Sequence, residues 1–278
     1  MHKNITLPNF LNPYKSEDLT RIGKANDGGY ILISQDVEST KNLISLGISY
    51  DFSFEEKFLE KNKKINIYTY DGSVGFKFYF KKCKYRIKLF VSKPNKKNFL
   101  NVVDGLNSFL KFGIFFRFNL SSKIVHTEKF VTSDISLFKE FETSYGYKPK
   151  SIKFTDVISN NLTYVFLSID IEGGEYDLLD DICKFSKNLT GLNIEFHSVE
   201  RNLEKIESFI KKFDLLLIHT HVNNFGPIIN GTPTVIELSF SNQLKLHRTE
   251  NLTKTNNLPI NMDQPNNSDG IDYLVTFN

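Results

Sequence analysis

Seven apolar runs of strand length recur along the 278-residue chain, and amphipathic stretches separate most of them. They are NLISLG (42–47), INIYTYD (65–71), KIVHTEKF (123–130), TYVFLSID (163–170), GLNIEFH (191–197), DLLLIHTHV (214–222) and TVIELSF (234–240). Runs that are apolar at nearly every position need cover on both faces, so they predict a largely parallel sheet flanked by helices. The clearest helix is SVERNLEKIESFIKKF (198–213), with Leu203, Ile206, Phe209 and Ile210 at helical spacing and Lys211 and Lys212 at its C-terminal end.

The last two runs are joined by NNFGPIINGTP, which leaves no room for a crossover helix and predicts an antiparallel pairing. A mostly parallel α/β sheet closed by an antiparallel last strand is the Rossmann-like layout of class I methyltransferases. A single domain of that class accounts for the chain, with an insertion over about 75–122 and a polar, Asn-rich extension over about 241–278. Two cysteines, Cys83 and Cys183, offer neither a disulfide framework nor a metal-binding spacing. The N-terminus lacks a basic-then-apolar leader pattern and no apolar run reaches bilayer length, so a cytoplasmic location is expected.

In an open α/β sheet, ligands bind beyond the carboxyl ends of the strands. The first such end, SLGISYDFSFEEKF (45–58), pairs one glycine with an acidic helix start. Dinucleotide loops use several glycines to press backbone N–H groups against a pyrophosphate. Asp51, Glu55 and Glu56 would repel a phosphate but accept an ammonium and a sulfonium, the charges of S-adenosylmethionine (SAM). Ser53 and Glu56 form an S-x-x-E capping box that predicts where this helix opens. Asp71, ending the second run, is placed to accept both ribose hydroxyls, with Gly72 beside it. Expected cofactor contacts are therefore Gly47, Ser49, Asp51, Asp71 and Gly72, with Asp170 at the end of the fourth run.

RIGKANDGGYIL (21–32), SLGISYDFSFEEKF, LSIDIEGGEYDLL (167–179) and LNIEFH (192–197) together resemble the FkbM family of SAM-dependent methyltransferases, in particular its bacterial glycan-modifying group. SIKFTDVI, with Asp156, and several later segments are similar as well, so the resemblance runs over most of the chain outside the insertion. It implies methyl transfer from SAM to a hydroxyl, commonly on a sugar or polyketide-like acceptor; the expected acceptor is a sugar in a surface glycan (capsule or lipopolysaccharide), or its nucleotide- or lipid-linked precursor. Gly47, Asp51 and Asp71 map to cofactor contacts, and Asp170, Glu172 and Glu175 fall on the family's D-[IV]-E-G-x-E motif. Competing expectations are a catalytically inactive binding module of the same fold, and a methyltransferase for another small-molecule or protein acceptor.

A sugar hydroxyl attacks a methyl group only once its proton is removed or polarised. His197, His219 and His221 lie at strand ends on the ligand edge, with His219 and His221 on one face of their strand. The favoured expectation is a general base, His197 or His221, with Asp170 or Glu172 orienting it. The alternative is a divalent metal held by Asp170, Glu195 or His197, and His221. Asp27, Tyr30, His219, Asn223 and Asn224 are the expected acceptor-binding residues, although NDGGY (26–30) also reads as a tight turn and the asparagines as turn residues.

The insertion is where the charge is concentrated. Residues 74–123 hold twelve of the 35 Lys and Arg against a single acid, Asp104, interleaved with many Phe. The simplest expectation is an extra helical layer with solvated lysines. Docking to an anionic membrane surface, or to a nucleotide- or lipid-linked carrier, is the alternative. Nucleic acid is not an expected partner, because no nucleic-acid fold signature accompanies the charge.

Overall fold

The computed structural model describes residues 3–117, 123–134, 146, 148–158, 162–243, 253–255 and 258–278. The parts of the expected insertion at 118–122, and of the expected tail at 244–252 and 256–257, lie outside the described residues.

Seven strands form the central sheet: β1 (Asn42–Leu46), β2 (Asn66–Tyr70), β3 (Ile124–Thr127), β4 (Val165–Ile169), β5 (Leu189–His197), β6 (Leu216–Val222) and β7 (Val235–Ser241). Their spatial order is β3-β2-β1-β4-β5-β7-β6. Every pairing is parallel except those of β7, which runs antiparallel between β5 and β6. This is the class I SAM-methyltransferase arrangement, and the order in which strands are added reverses between the parallel neighbours β1 and β4, where such sheets open a crevice.

Both faces of the sheet are covered, as the continuous apolar runs require. Along β4, Val165, Leu167 and Ile169 point into one core and Phe166 into the other. The first core is closed by α4 (Leu179–Phe185) and α5 (Val199–Lys212), whose Ile206 and Phe209 are buried. The second is closed by α1 (Ser53–Lys61), with Phe54 and Phe58 packed on Phe166 at ring separations of 6.3 and 5.2 Å.

Several expectations change. The run 123–130 breaks at Glu128, because that carboxylate turns to accept the Phe76 N–H at 2.9 Å. Lys129–Thr132 then pairs in parallel with Lys150–Lys153 in a separate small sheet. The capping box does not form: Phe52 is the N-cap without a side-chain bond, the Ser53 hydroxyl accepts the Lys24 N–H at 3.2 Å, and Glu56 pairs with Lys111 at 2.8 Å. Long-range partners outcompete the local cap. Finally, the polar tail is an integral part of the structure. Tyr273–Phe277 pairs in parallel with Lys3–Leu7, and residues 258–272 return over the carboxyl end of the sheet.

Between β2 and β3 the chain makes a helical hairpin, α2 (Phe76–Ser92) and α3 (Lys96–Arg117). Lys96–Phe116 is long and apolar enough by composition to cross a bilayer, contrary to the sequence expectation.

Gly47 links the fold to the ligand edge. Its φ is +78°, and a Cβ there would lie 1.6 Å from the Asp170 carbonyl oxygen. The turns after β1 and β4 can touch only because this residue has no side chain. Gly47→Ala is expected to cost about 3 kcal/mol or more of stability, measured by chemical denaturation, because strain and a backbone clash coincide.

Candidate active site at the carboxyl edge

Three strands of the sheet end in strained turns. Ser49 after β1, Glu172 after β4 and Ser198 after β5 all take positive φ, at 46°, 56° and 53°. Such backbone persists only where the surroundings enforce it, and it concentrates at functional sites. Two cavities open over the first two of these turns. One, of about 430 Å³, is lined by Asp71, Ser73, Phe130, Val131 and the Glu172 turn. The other, of about 270 Å³, is lined by Lys24, Asp27, Tyr30, Asp51, Phe54 and Glu55. Gly47, Ser49 and Asp170 border both.

Asp71 is held by its own loops. One oxygen accepts the Ser49 N–H at 2.7 Å, and the other accepts the N–H and hydroxyl of Ser73, both at 2.6 Å. A carboxylate has about four acceptor positions, so capacity remains on Asp71, which lines the larger cavity. Gly72 lies flat against Phe130: a Cβ on Gly72 would meet that ring at 2.4 Å.

The helix start is less negative than the three carboxylates imply. Asp51 pairs with Lys24 at 2.6 Å and accepts the Ser53 N–H, and Glu56 is paired with Lys111. Glu55 is buried, which pushes its pKa up to about 7 against a counteracting hydrogen bond from Ser45. The smaller cavity therefore presents charges of both signs.

Next to Asp170 lies a carboxylate–imidazole pair. Glu175 is fully buried; its Oε1 accepts N–H bonds from Ile171 and Gly173 at 3.2 and 3.0 Å and meets His197 Nδ1 at 3.1 Å. The Tyr176 hydroxyl donates to the His197 carbonyl at 2.7 Å. His197 Nε2 faces Glu172 and Glu195, each at 3.5 Å, and Asp170 at 3.9 Å. Burial opposes protonation of His197, but the Glu175 hydrogen bond and the surrounding carboxylates prevail and raise its pKa. Burial likewise pushes Asp170 up to about 7, reinforced by the neighbouring glutamates and opposed by His197. One Asp170 oxygen and Glu175 Oε2 are buried without a hydrogen-bond partner, and ligand atoms of Asp170, Glu175 and His197 lie within 4.8 Å of one another.

No family model matches the chain, and no curated protein matches it. Among solved structures, the METTL16 methyltransferase domain matches with a TM-score of 0.36 and 10% identity, over 74% of this chain and 61% of that one. A precorrin-6y C5,15-methyltransferase from Geobacter metallireducens GS-15 gives 0.34 and 8%, over 75% and 86%. The plantazolicin methyltransferase BpumL, in complex with SAH, gives 0.31 and 9%, over 75% and 82%. Overlaps this loose assign no reaction to the chain, whose fold class follows from its own strand order.

Several expected site residues lie elsewhere. His221 does not line either cavity: it is buried, with Nδ1 3.3 Å from Glu237 on the adjacent strand. His219 sits beneath the returning tail, 3.0 Å from Asp263, and borders a different cavity with Tyr14 and Leu258. Asn223 donates to Glu195 at 3.1 Å, and Asn224 ties the loop to Asn267. The four expected metal ligands are thus split, with His221 committed to Glu237. Asp27 and Tyr30 do line the smaller cavity, and Asp27 accepts a bond from Asn266 at 3.3 Å.

The residues that sequence reasoning missed are Glu237, Asp263, Asn266 and Asp272. Glu237 stands opposite both Glu195 and His221 in register, and Asn266 donates to it. Burial opposes charge on His221, yet Glu237, Asp263 and Asp272 outweigh it and push the pKa up to about 9. A histidine whose folded pKa lies above its ordinary 6.5 stabilises the fold fully below pH 6.5, and that contribution is lost as pH rises through about 9. His221→Gln is therefore expected to cost up to about 3 kcal/mol in denaturant titrations below pH 6.5, with wild type and variant converging above about pH 9. A deficit that stays constant across this window contradicts the assignment.

Proposed function

We propose that the chain is a SAM-dependent O-methyltransferase that acts on a hydroxyl of a sugar in a surface glycan, or of its nucleotide- or lipid-linked precursor. The observation that carries the reading is the pair of cavities meeting over Gly47, Ser49 and Asp170, with the His197–Glu175 pair at the same edge. The larger cavity suits a nucleoside: Asp71 has acceptor capacity for a ribose, and Phe130 and Val131 offer an apolar wall for a base. The smaller one, with Lys24 among Asp27, Asp51 and Glu55, suits a zwitterionic amino acid. The sugar acceptor rests on the FkbM resemblance of the D-I-E-G-G-E segment and its neighbours.

SAM, when bound, supplies an electrophilic methyl group on a sulfonium. The chain's residues then have two tasks, alignment and proton removal. His197 Nε2 takes the hydroxyl proton as the oxygen attacks. Glu175 acts as a positioning residue, accepting from Nδ1–H, fixing the tautomer and stabilising the imidazolium that forms. Asp170 and Glu172 raise the basicity of His197 through their charge.

A divalent ion is the second reading, favoured by the unpartnered oxygens of Asp170 and Glu175 beside His197. That mixed nitrogen and oxygen donor set fits a transition ion, which would polarise the acceptor oxygen.

Transfer of labelled methyl groups from SAM to nucleotide sugars and glycan precursors tests the reading. Turnover is expected to fall below an apparent pKa that lies above 6.5, since protonated His197 cannot act as base. His197→Ala is expected to lower kcat by about 10²–10⁴-fold while SAM affinity is kept. Glu175→Gln is expected to lower kcat and move the apparent pKa downward. An unaltered pH profile in Glu175→Gln contradicts the base assignment, and loss of activity on chelation with recovery on adding a divalent ion favours the second reading.

A further inference from the structure

The α2–α3 hairpin has two apolar sides, and the fold uses only one of them. On α3, Phe112, Phe115 and Phe116 are buried, with Phe115 stacked on Phe52 at 5.1 Å. On a different side of the same helix, Phe99, Leu100, Val103, Leu106, Leu110 and Ile114 are between 39% and 62% exposed. Five of these six recur at steps of three or four residues, so they form one stripe along the helix. The same pattern appears on α2, where exposed Phe80, Ile87 and Val91 form a stripe and Lys77, Lys81, Lys84 and Lys88 recur along its flank. Lys93 in the turn between the helices, and Lys96 and Lys97 at the start of α3, add to this charge. The hairpin's one acid, Asp104, is neutralised by Arg86 at 2.6 Å.

We infer that this hairpin docks in the plane of an anionic lipid bilayer. An apolar stripe flanked by lysines is the pattern of a helix lying at the headgroup boundary, and lysines are drawn to the negative surface of such a membrane. Although Lys96–Phe116 has the length of a span, its buried phenylalanines keep one face against the protein, so the helix lies along the surface instead of crossing it. Self-association sets the positive charge of one hairpin against that of another. A nucleic-acid face places aromatic rings against bases within a basic groove, and here the exposed stripe of α3 is mainly aliphatic. The hairpin's root reaches the smaller cavity: Tyr50, on its rim, packs on Phe78 at 5.4 Å and lies under Lys82 at 4.3 Å. Docking thus sets the candidate active site beside the membrane surface.

The test is co-sedimentation of the full chain with vesicles, and it does not depend on any methyltransferase activity. The chain is expected to sediment with vesicles of mixed phosphatidylcholine and phosphatidylglycerol, not with phosphatidylcholine alone, and to be released by high salt. Lys84→Glu and Lys88→Glu are each expected to weaken the association by about fivefold or more. Leu106→Glu combined with Leu110→Glu is expected to abolish it, with thermal unfolding unchanged. The inference is overturned by failure to sediment with the anionic vesicles, by equal binding to neutral ones, or by full binding in the double leucine variant. Oligonucleotide binding tighter than vesicle binding overturns it in favour of nucleic acid, and dimers in lipid-free solution that the leucine substitutions dissociate overturn it in favour of a second copy.

Discussion

One buried carboxylate organises the ligand edge. Glu175, without exposed surface, fastens the turn after β4 through the N–H groups of Ile171 and Gly173, and the same oxygen holds the imidazole that ends β5. A charge buried this deeply is tolerated only where donors converge on it, so the turn, the strand end and His197 have to arrive together. The strained Glu172 turn, the border Asp170 shares with both cavities and the raised basicity of His197 all follow from that convergence.

The second constraint is the contact between neighbouring turns at Gly47. Because β1 and β4 lie side by side where the strand order reverses, their turns frame the crevice between the two cavities. The antiparallel β7 completes the edge from the far side. It brings Glu237 between Glu195 and His221, and the returning tail adds Asn266 and Asp272. That row is an interior polar network in which each member shares the desolvation of the others.

The sheet was legible in the sequence because burial on both faces leaves continuous apolar runs, and all seven runs appear as strands, the third shortened by Glu128. Gly47, Asp51, Asp71, Asp170 and His197 were findable because a strand's end also marks the ligand edge. The roles that stayed hidden depend on distant partners. Glu237 lies inside a strand, and its significance comes from register with Glu195 and His221. The tail's Asp263 and Asn266 reach their partners across 44 and 29 residues of chain. The Ser53–Glu56 cap failed for the same reason: Lys24 and Lys111 claim those side chains from elsewhere in the chain. The acidic helix start likewise lost part of its charge argument, since two of its carboxylates have cationic partners and the third is buried.

Calorimetric titration of the full chain with SAM, with its demethylated product and with a dinucleotide tests the central claim most directly. The account predicts saturable binding of the first two, weakened by Asp71→Ala, and no binding of the dinucleotide. Binding of the dinucleotide without SAM, or of none of the three, would contradict it.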